Sequence, residues 1–301
     1  MRIRKPWSQE EENRLKNLCE SGLYSGVDMM HFFPDRTLGA IWARCHVLGI
    51  ITNYKYTKYT YDENYFNELD LTKIYYGGLF MADGCIYIRP KHGEVSFIWA
   101  IARKDIKLLE NFKTAINSTH VINLYESRSP TTNNVCYGCS LRIESAKILA
   151  EQLKKHFGMI PNKTKRFPPP NLFALIEKLA FIKGYLDGDG CLIHSNNRVS
   201  IQISSCNKEI LLWIKNIFDD MNINCLSNRG YSNVSARTDE NSYYYSVDGL
   251  RAAILYEIFM RINTPSLDRK WRNEELLNTI NYWKSRPEWP PETFFIEILS
   301  K

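Results

Sequence analysis

The chemistry available to this chain centres on two acids. Asp83 and Asp189 each close an apolar run, residues 74–81 and 179–186, and each is followed by a glycine, in Ala82-Asp83-Gly84 and Gly188-Asp189-Gly190. Both runs read as helices, so each acid falls at a helix C-terminus, where the macrodipole is negative and a carboxylate is unfavourable unless a cation completes the arrangement. Small residues recur four apart in each run, Gly78 with Ala82 and Gly184 with Gly188. Residues at that spacing share a helix face, so each helix carries a narrow strip along which another backbone can come close. Packed together, the two helices would bring Asp83 and Asp189 within a few ångströms. Like charges so placed raise each other's proton affinity unless a cation lies between them. The glycine after each acid suits the left-handed turn that ends many helices.

These segments resemble the paired motifs of LAGLIDADG homing endonucleases in their single-chain form with two repeats. A lone Asp-Gly-Asp-Gly also occurs in calcium loops and ordinary turns; two copies at domain-sized separation, each after a helical run with small residues, carry the resemblance. It implies that the motif helices form the interface between two half-domains. It implies further that Asp83 and Asp189 hold a divalent metal, Mg²⁺ or another such as Mn²⁺, at the scissile phosphates, with the backbone carbonyls of Ala82 and Gly188 as extra ligands. The motif's earlier acid is kept as Asp187 and replaced by Met81 in the first copy. Lys163 and Lys270 match after the two repeats, and the resemblance places a lysine there in a basic pocket that positions water and offsets charge. General phosphate attraction would account for the same lysines. Arg103 and Ser205, at matching ends of their second strands, are weaker candidates for that pocket.

Phosphodiester hydrolysis needs a nucleophile, charge neutralisation at phosphorus and help for the leaving oxygen. No Cys/His or Ser/His/Asp set stands out, and a water activated by a hard, oxygen-ligated metal meets all three needs. The implied activity is double-strand cleavage of a long asymmetric DNA target, one strand per half, by a monomeric intron-type endonuclease. A different class uses the same fold without cutting: an intron maturase binding its own RNA, or a DNA- or RNA-binding regulator. Retention of both acids favours cleavage.

Bulk properties agree with this without proving it. The 301 residues suffice for about two domains, 44% are hydrophobic, and the formal net charge of +6 favours polyanionic partners. The sequence pI is near 8.8. No apolar run reaches the ~18 to 20 residues of a membrane span, and no hydrophobic region follows the first charges, so a soluble, cytoplasmic or otherwise intracellular protein with no membrane partner is expected. Of the eight cysteines only Cys136 and Cys139 are closely spaced. They lack a second pair for zinc, and in a strand they would face opposite ways.

The elements needed to position the acids follow from periodicity. Residues 1–50 read as three short helices: Ser8 to Glu11 fits a capping box, residues 27–32 form a second helix, and residues 38–48 a third, closed by Gly49. With Trp7 and Trp42 as large core residues, this unit resembles a Myb/SANT-like helix-turn-helix domain, which implies a third helix presenting Arg36 and Arg44 to the major groove, with His46 a weaker candidate. The alternative is a small bundle whose arginines are merely solvated. Residues 51–71 alternate tyrosine and lysine without helical period, as a phosphate-following arm or as a linker whose tyrosines pack on the next domain.

From Gly84 the period becomes two. Residues 85–89 and 95–102 read as a hairpin, 106–116 as a helix, 120–128 and 135–143 as a second strand pair, and 145–157 as a helix. The second copy repeats the order with strands 191–194 and 198–204, helix 208–221, strands near 222–229 and 242–247, and helix 250–262. The expected fold is therefore α+β: two pseudo-symmetric αββαββα repeats with curved antiparallel sheets, 72–173 and 174–282, preceded by the small three-helix domain. The tail, 283–301, reads as extended packing.

In one strand Arg198, Ser200, Gln202 and Ser204 alternate with Val199, Ile201 and Ile203, giving one polar and one apolar face. An ordinary solvent face would look the same; the resemblance places this polar face in the major groove, with Arg229 from the following strand. In the first copy the corresponding face, Ser96, Ile98, Ala100 and Ala102, is poor in donors. Arg89, Asn123, Tyr125 and Arg142 are the better candidates for DNA contact there, so the two half-sites are expected to be read differently.

Overall fold

The computed structural model describes residues 6–21, 26–50, 59–90, 93–128, 133–163, 167–221, 223, 233–237 and 242–301. These fall into two compact units, Met1–Lys58 and Tyr59–Lys301.

In the first unit, α1 spans Gln9–Ser21, α2 Gly26–Phe32 and α3 Leu38–Val47. Ser8 and Glu11 cap α1 reciprocally, Glu11 N donating to Ser8 Oγ at 3.1 Å and Ser8 N to Glu11 Oε2 at 2.9 Å. Thr37 Oγ1 accepts from Ala40 N at the start of α3. Leu15, Cys19, Met29, Phe33, Ile41 and Cys45 form the core. Trp42, expected there, is 38% exposed: it follows Ile41, whose face of α3 is the buried one, so it turns outward.

The second unit is organised by two long apolar helices, α4 (Leu71–Asp83) and α7 (Leu175–Asp189), which share the most extensive contact between elements. Asp70 starts α4 by accepting from Lys73 N. Along each helix the apolar run is buried without a break, Ile74 to Met81 and Leu179 to Asp187, as expected of a helix covered all round. A Cβ added to Gly78 would lie 1.9 Å from the Phe181 carbonyl oxygen, and one added to Gly184 1.9 Å from that of Tyr75. The two backbones touch because no side chain stands between them.

Each helix feeds an antiparallel sheet. After α4 come β1 (Gly84–Ile88), β2 (Val95–Ala102), a 3-10 turn (Arg103–Asp105), α5 (Ile106–Ala115), β3 (Ile122–Arg128), β4 (Val135–Ile143) and α6 (Lys147–Phe157). After α7 come β5 (Gly190–Ser195), β6 (Arg198–Ser205), α8 (Lys208–Asp220), β7 (Ser235–Ala236), β8 (Tyr243–Asp248) and α9 (Leu250–Arg261). The sheet orders, β1-β2-β4-β3 and β5-β6-β8-β7, are the same. The duplicated pattern in the sequence is therefore a duplicated architecture. In the first half the sheet's inner face, with Phe97 and Trp99, packs edge-on against Phe80 and Phe112. In the second half Val199, Ile201 and Ile203 take that place.

Several expectations change. Gly84 and Gly190 have φ of −78° and −100°, extended rather than left-handed, because a strand follows each helix directly. Their lack of a side chain has another cause: a Cβ at either would sit 2.7 or 2.6 Å from the carbonyl oxygen of Phe80 or Leu186 in the last helical turn. Residues 59–70, placed in the linker, pack on the first repeat: Thr119 N donates to Thr60 O and Asp62 N to Ile116 O, and Phe66 is fully buried. The tail is helical, not extended. Beyond α10 (Asp268–Trp271) lie α11 (Glu274–Lys284) and α12 (Glu292–Leu299), which bury Leu276, Ile280, Phe295 and Ile298. The Lys301 carbonyl accepts from Leu175 N at the start of α7. The strand expected near 222–229 lies outside the described residues apart from Ile223, which is in a 3-10 turn; the partner of β8 is Ser235–Ala236.

A methyl at Gly184 has nowhere to go but into the Tyr75 carbonyl, so Gly184→Ala should lower stability by about 3 kcal/mol and the melting temperature of the second unit by several degrees. Gly39 in α3 has nothing within 4 Å of its added Cβ. Gly39→Ala should stabilise the first unit by about 0.5 kcal/mol. Thermal unfolding followed by circular dichroism checks both.

Candidate active site

Because α4 and α7 pack through glycine, their C-termini arrive together, and Asp83 and Asp189 with them. A Cβ on Gly188 would lie 3.2 Å from Asp83 Oδ2, so the bare backbone of one helix leaves room for the other's carboxylate. Both acids reach the surface, yet protein atoms crowd them from beneath. Burial, then repulsion from Asp189, pushes the Asp83 carboxyl up to about 6, against the pull of Lys270 and Lys163. Asp189 is raised by burial as well, with Lys163, a hydrogen bond from Tyr185 and Lys270 opposing.

Lys163 and Lys270 lie at the helix ends. Lys163 Nζ donates to the carbonyls of Met81 (2.6 Å) and Ala82 (3.0 Å) at the end of α4. Lys270 Nζ donates to those of Leu186 (2.9 Å), Asp187 (2.6 Å) and Gly190 (2.7 Å) at the end of α7. Each ammonium thus satisfies orphan carbonyls and offsets the negative pole on which an acid sits. The cation called for by the helix-end electrostatics is, within the protein, a lysine. Burial lowers both ammonium groups, and the acids hold them up. Two acids and two lysines form one charge cluster.

Each acid opens onto a cleft of its own. The first, about 390 Å³, joins Asp83 and Gly188 to Ala100, Ala102, Tyr125 and Gly138 of the first sheet. The second, about 270 Å³, joins Asp189 and Lys163 to Tyr185, Ser204 and Ser205 of the second. Among the described residues no group of three or more His, Cys, Asp or Glu is arranged around a metal. Asp83 accepts no hydrogen bond among the described residues, and burial together with the neighbouring Asp189 raises its proton affinity. A divalent cation that takes its remaining ligands from water and phosphate fits that pair. The Ala82 carbonyl, expected as a further ligand, is held by Lys163 instead; Gly188 borders the first cleft.

The remaining candidates divide by burial. Arg36 is turned into its own unit rather than out to solvent: it is 8% exposed, pairs with Glu11 at 2.8 Å, and lies 4.4 Å over the Trp7 ring. It ties the turn before α3 to α1. Arg44 on α3 is half-buried and ion-paired with Glu12. Ser205 falls on the inner face of β6, one residue past outward Ser204, shares a hydrogen bond with Tyr185 OH at 3.0 Å and accepts from Asn207 N at 3.0 Å; it is a support at the back of the second cleft. Arg103, Asn123, Tyr125 and Arg198 are exposed, Arg142, Ser200, Gln202 and Ser204 half-buried on outer faces. Arg89 is exposed but pairs with Glu94 at 2.6 Å. Arg229 lies outside the described residues.

Sequence reading gave Asp187 no task, and it has a structural one. Its buried carboxylate accepts from Tyr75 OH (2.6 Å), Trp271 Nε1 (2.6 Å) and Leu267 N (2.9 Å), fastening α4, α7 and the segment that carries Lys270. Burial raises its proton affinity while these donors oppose the rise. Met81 at the matching place can accept nothing of the kind. Asp105 and Arg269 were also missed: a two-point ion pair, 2.7 and 2.8 Å, that crosses between repeats beside the first cleft. Neither lies in a motif, and only their contact distinguishes them.

Asp187→Ala strands two buried donors and a tyrosine hydroxyl and should cost about 3–5 kcal/mol in urea unfolding. For Asp83 the sign runs the other way. Its carboxyl rises from 3.8 to about 6 on folding, so the folded chain binds the proton more tightly and stability falls as pH climbs from about 4 to 6. Asp83→Asn should flatten that slope and stabilise the protein at pH 7 by about 1 kcal/mol, the effect being reduced by the solvent that reaches this carboxylate.

No curated protein matches the chain. Among solved structures, it is similar to the LAGLIDADG meganuclease I-AabMI bound to uncleaved DNA (13% identity, 77% of this chain and 97% of that one, TM-score 0.45). It is also similar to the homing endonuclease I-WcaI bound to its DNA recognition sequence (16%, 75% and 96%, TM-score 0.47) and to I-DmoI in complex with DNA and Ca (15%, 66% and 95%, TM-score 0.44). Residues 177–250, running from α7 through the second sheet to the start of α9, match the family model described as the LAGLIDADG-like domain.

Proposed function

We propose that the chain is a site-specific endonuclease that makes a double-strand break in a long, asymmetric DNA target, one strand at each acid. The observation that carries this reading is the pair of carboxylates at the adjoining ends of α4 and α7, each opening onto a cleft beside the outer face of its own sheet. Duplication supplies two sites at once, as two strands require.

The residues divide the work. Asp83 and Asp189 would hold a divalent cation such as Mg²⁺ or Mn²⁺, which supplies an activated water and neutralises the phosphate. Lys163 and Lys270 keep positive charge beside both acids while anchored to helix carbonyls, so they offset the duplex without having to reorganise. The outer faces of the two sheets seat the duplex and set its register against the acids. Arg103, Asn123, Tyr125, Arg142, Arg198, Ser200, Gln202 and Ser204 are the side chains placed to touch it.

The test is to incubate the full chain with a library of duplexes and Mg²⁺ beside Asp189→Asn and Asp83→Asn. Each variant should lose at least about 100-fold in double-strand cleavage, a few kcal/mol of transition-state stabilisation, while still retaining the duplex in a filter assay. Cutting at the unaltered rate by either variant removes the catalytic assignment. Tight RNA binding with no DNA scission by the unaltered chain favours the non-cutting reading.

A further inference from the structure

The two outer sheet faces differ in kind. Residues directly opposite in the ladder share a face, and the pairs Cys85 with Ile98, Ile98 with Arg142, Ala100 with Ser140, and both Ala102 and Tyr125 with Gly138 define the outer face of the first sheet. Tyr87 and Tyr125 are each 42% exposed there. A Cβ on Gly138 would meet the Tyr125 ring at 2.4 Å, so the ring lies directly over the β4 backbone as an aromatic platform. Arg142 is the one cation among the described strand residues on this face, and it is tethered there: Nη2 donates to Ser96 Oγ at 3.3 Å and the guanidinium lies 6.0 Å from the Tyr87 ring.

The second sheet presents mainly hydrogen-bonding groups, with Ile193, 47% exposed and opposite Ser200, as its large apolar member. Arg198, Ser200, Gln202 and Ser204 face outward, the last three opposite Asp248, Ser246 and Tyr244 in the neighbouring strand, and Arg237 donates to Ser204 Oγ at 2.7 Å. Asn123, Ser127 and Ser140 share the outer face of the first sheet, and its apolar part begins beside the proposed cutting site, where the first cleft runs from Ala100, Ala102 and Tyr125 to Asp83.

In the major groove, G, C and A are distinguished by donors and acceptors, whereas the thymine C5 methyl is the one feature an apolar side chain can recognise. Resting on the nuclease reading above, we propose that the half-site seated on the first sheet is thymine-rich and is read through its methyl groups by Ile98, Ala100 and Tyr125. The half-site on the second sheet is read by hydrogen bonds from Arg198, Ser200 and Gln202. Asn123, exposed on the strand that carries Tyr125, adds an adenine reader suited to the same A·T pairs. Two unlike surfaces on one chain make recognition asymmetric.

The experiment recovers bound duplexes from a randomised library with full-length Asp83→Asn/Asp189→Asn, then repeats the selection with Ile98→Gln and with Gln202→Ala added. The half whose base preference changes with Ile98→Gln is the first sheet's half. That half should be rich in A·T pairs, and replacing its thymines with deoxyuridine should weaken binding about tenfold, with less than a twofold change when the other half is replaced. Tyr125→Ser, at the edge strand, should reduce the uridine sensitivity, leaving the share read by Ile98 and Ala100. A G·C-rich first half, or equal binding of thymine and uridine duplexes, overturns the inference and leaves the nuclease reading intact. Recovery of no duplex site overturns both.

Discussion

Between Gly78 and Gly184 there is no space for a methyl group, and from that absence the rest of the second unit follows. Carbonyl oxygens of one helix lie where the side chain of the other would begin. Helices that approach this closely hold their ends in fixed relation, and the ends carry the acids. A wider interface, cushioned by leucines at ordinary interaxial spacing, would separate Asp83 from Asp189 and leave two unrelated carboxylates. The glycines therefore set a distance as well as a packing density.

That closeness creates an electrostatic debt, two carboxylates at two negative helix poles, and the structure answers it locally. Lys163 and Lys270 come from equivalent segments after each repeat and each clamps the carbonyls of its own repeat's motif helix. They oppose the rise without cancelling it: burial first, and Asp189 second, still push the Asp83 carboxyl up to about 6. A site left short of positive charge is one that a cation and its phosphate ligands complete. The cost in stability belongs to the chemistry proposed here, since carboxylates that were fully satisfied by protein donors would have nothing left to offer.

The two halves are alike in topology and unlike in detail. Asp187 anchors Tyr75, Leu267 and Trp271, and its counterpart is Met81. Arg269 reaches across from after the second repeat to Asp105 in the first, while Asn207, at the matching turn of the second repeat, donates to the Phe167 carbonyl of the segment after the first. Each repeat is thus braced by the chain that leaves the other. Symmetry is kept where backbones must meet, and given up on the sheet faces, where no such constraint acts.

What the sequence determined by itself was whatever is written in local spacing. Apolar runs with small residues four apart located α4 and α7, alternation located both sheets, and the repeat of that order showed the duplication, because helix and strand periodicities need only neighbouring residues. The acids could be named for the same reason. The tertiary structure decided what depends on contact between residues distant in the chain. Arg36 looks like a free cation until Glu11 and Trp7 close on it. Lys163 and Lys270 look like a basic connector until their ammonium groups meet helix carbonyls, and Asp187 looks like a spare acid until three donors arrive from two other segments. Packing is one of two readings for residues 51–71 and the reading for 283–301, but the helix at Glu292–Leu299 emerges only in the folded chain. Burial and hydrogen-bond partnership are properties of a folded neighbourhood, and no spacing along the chain records them.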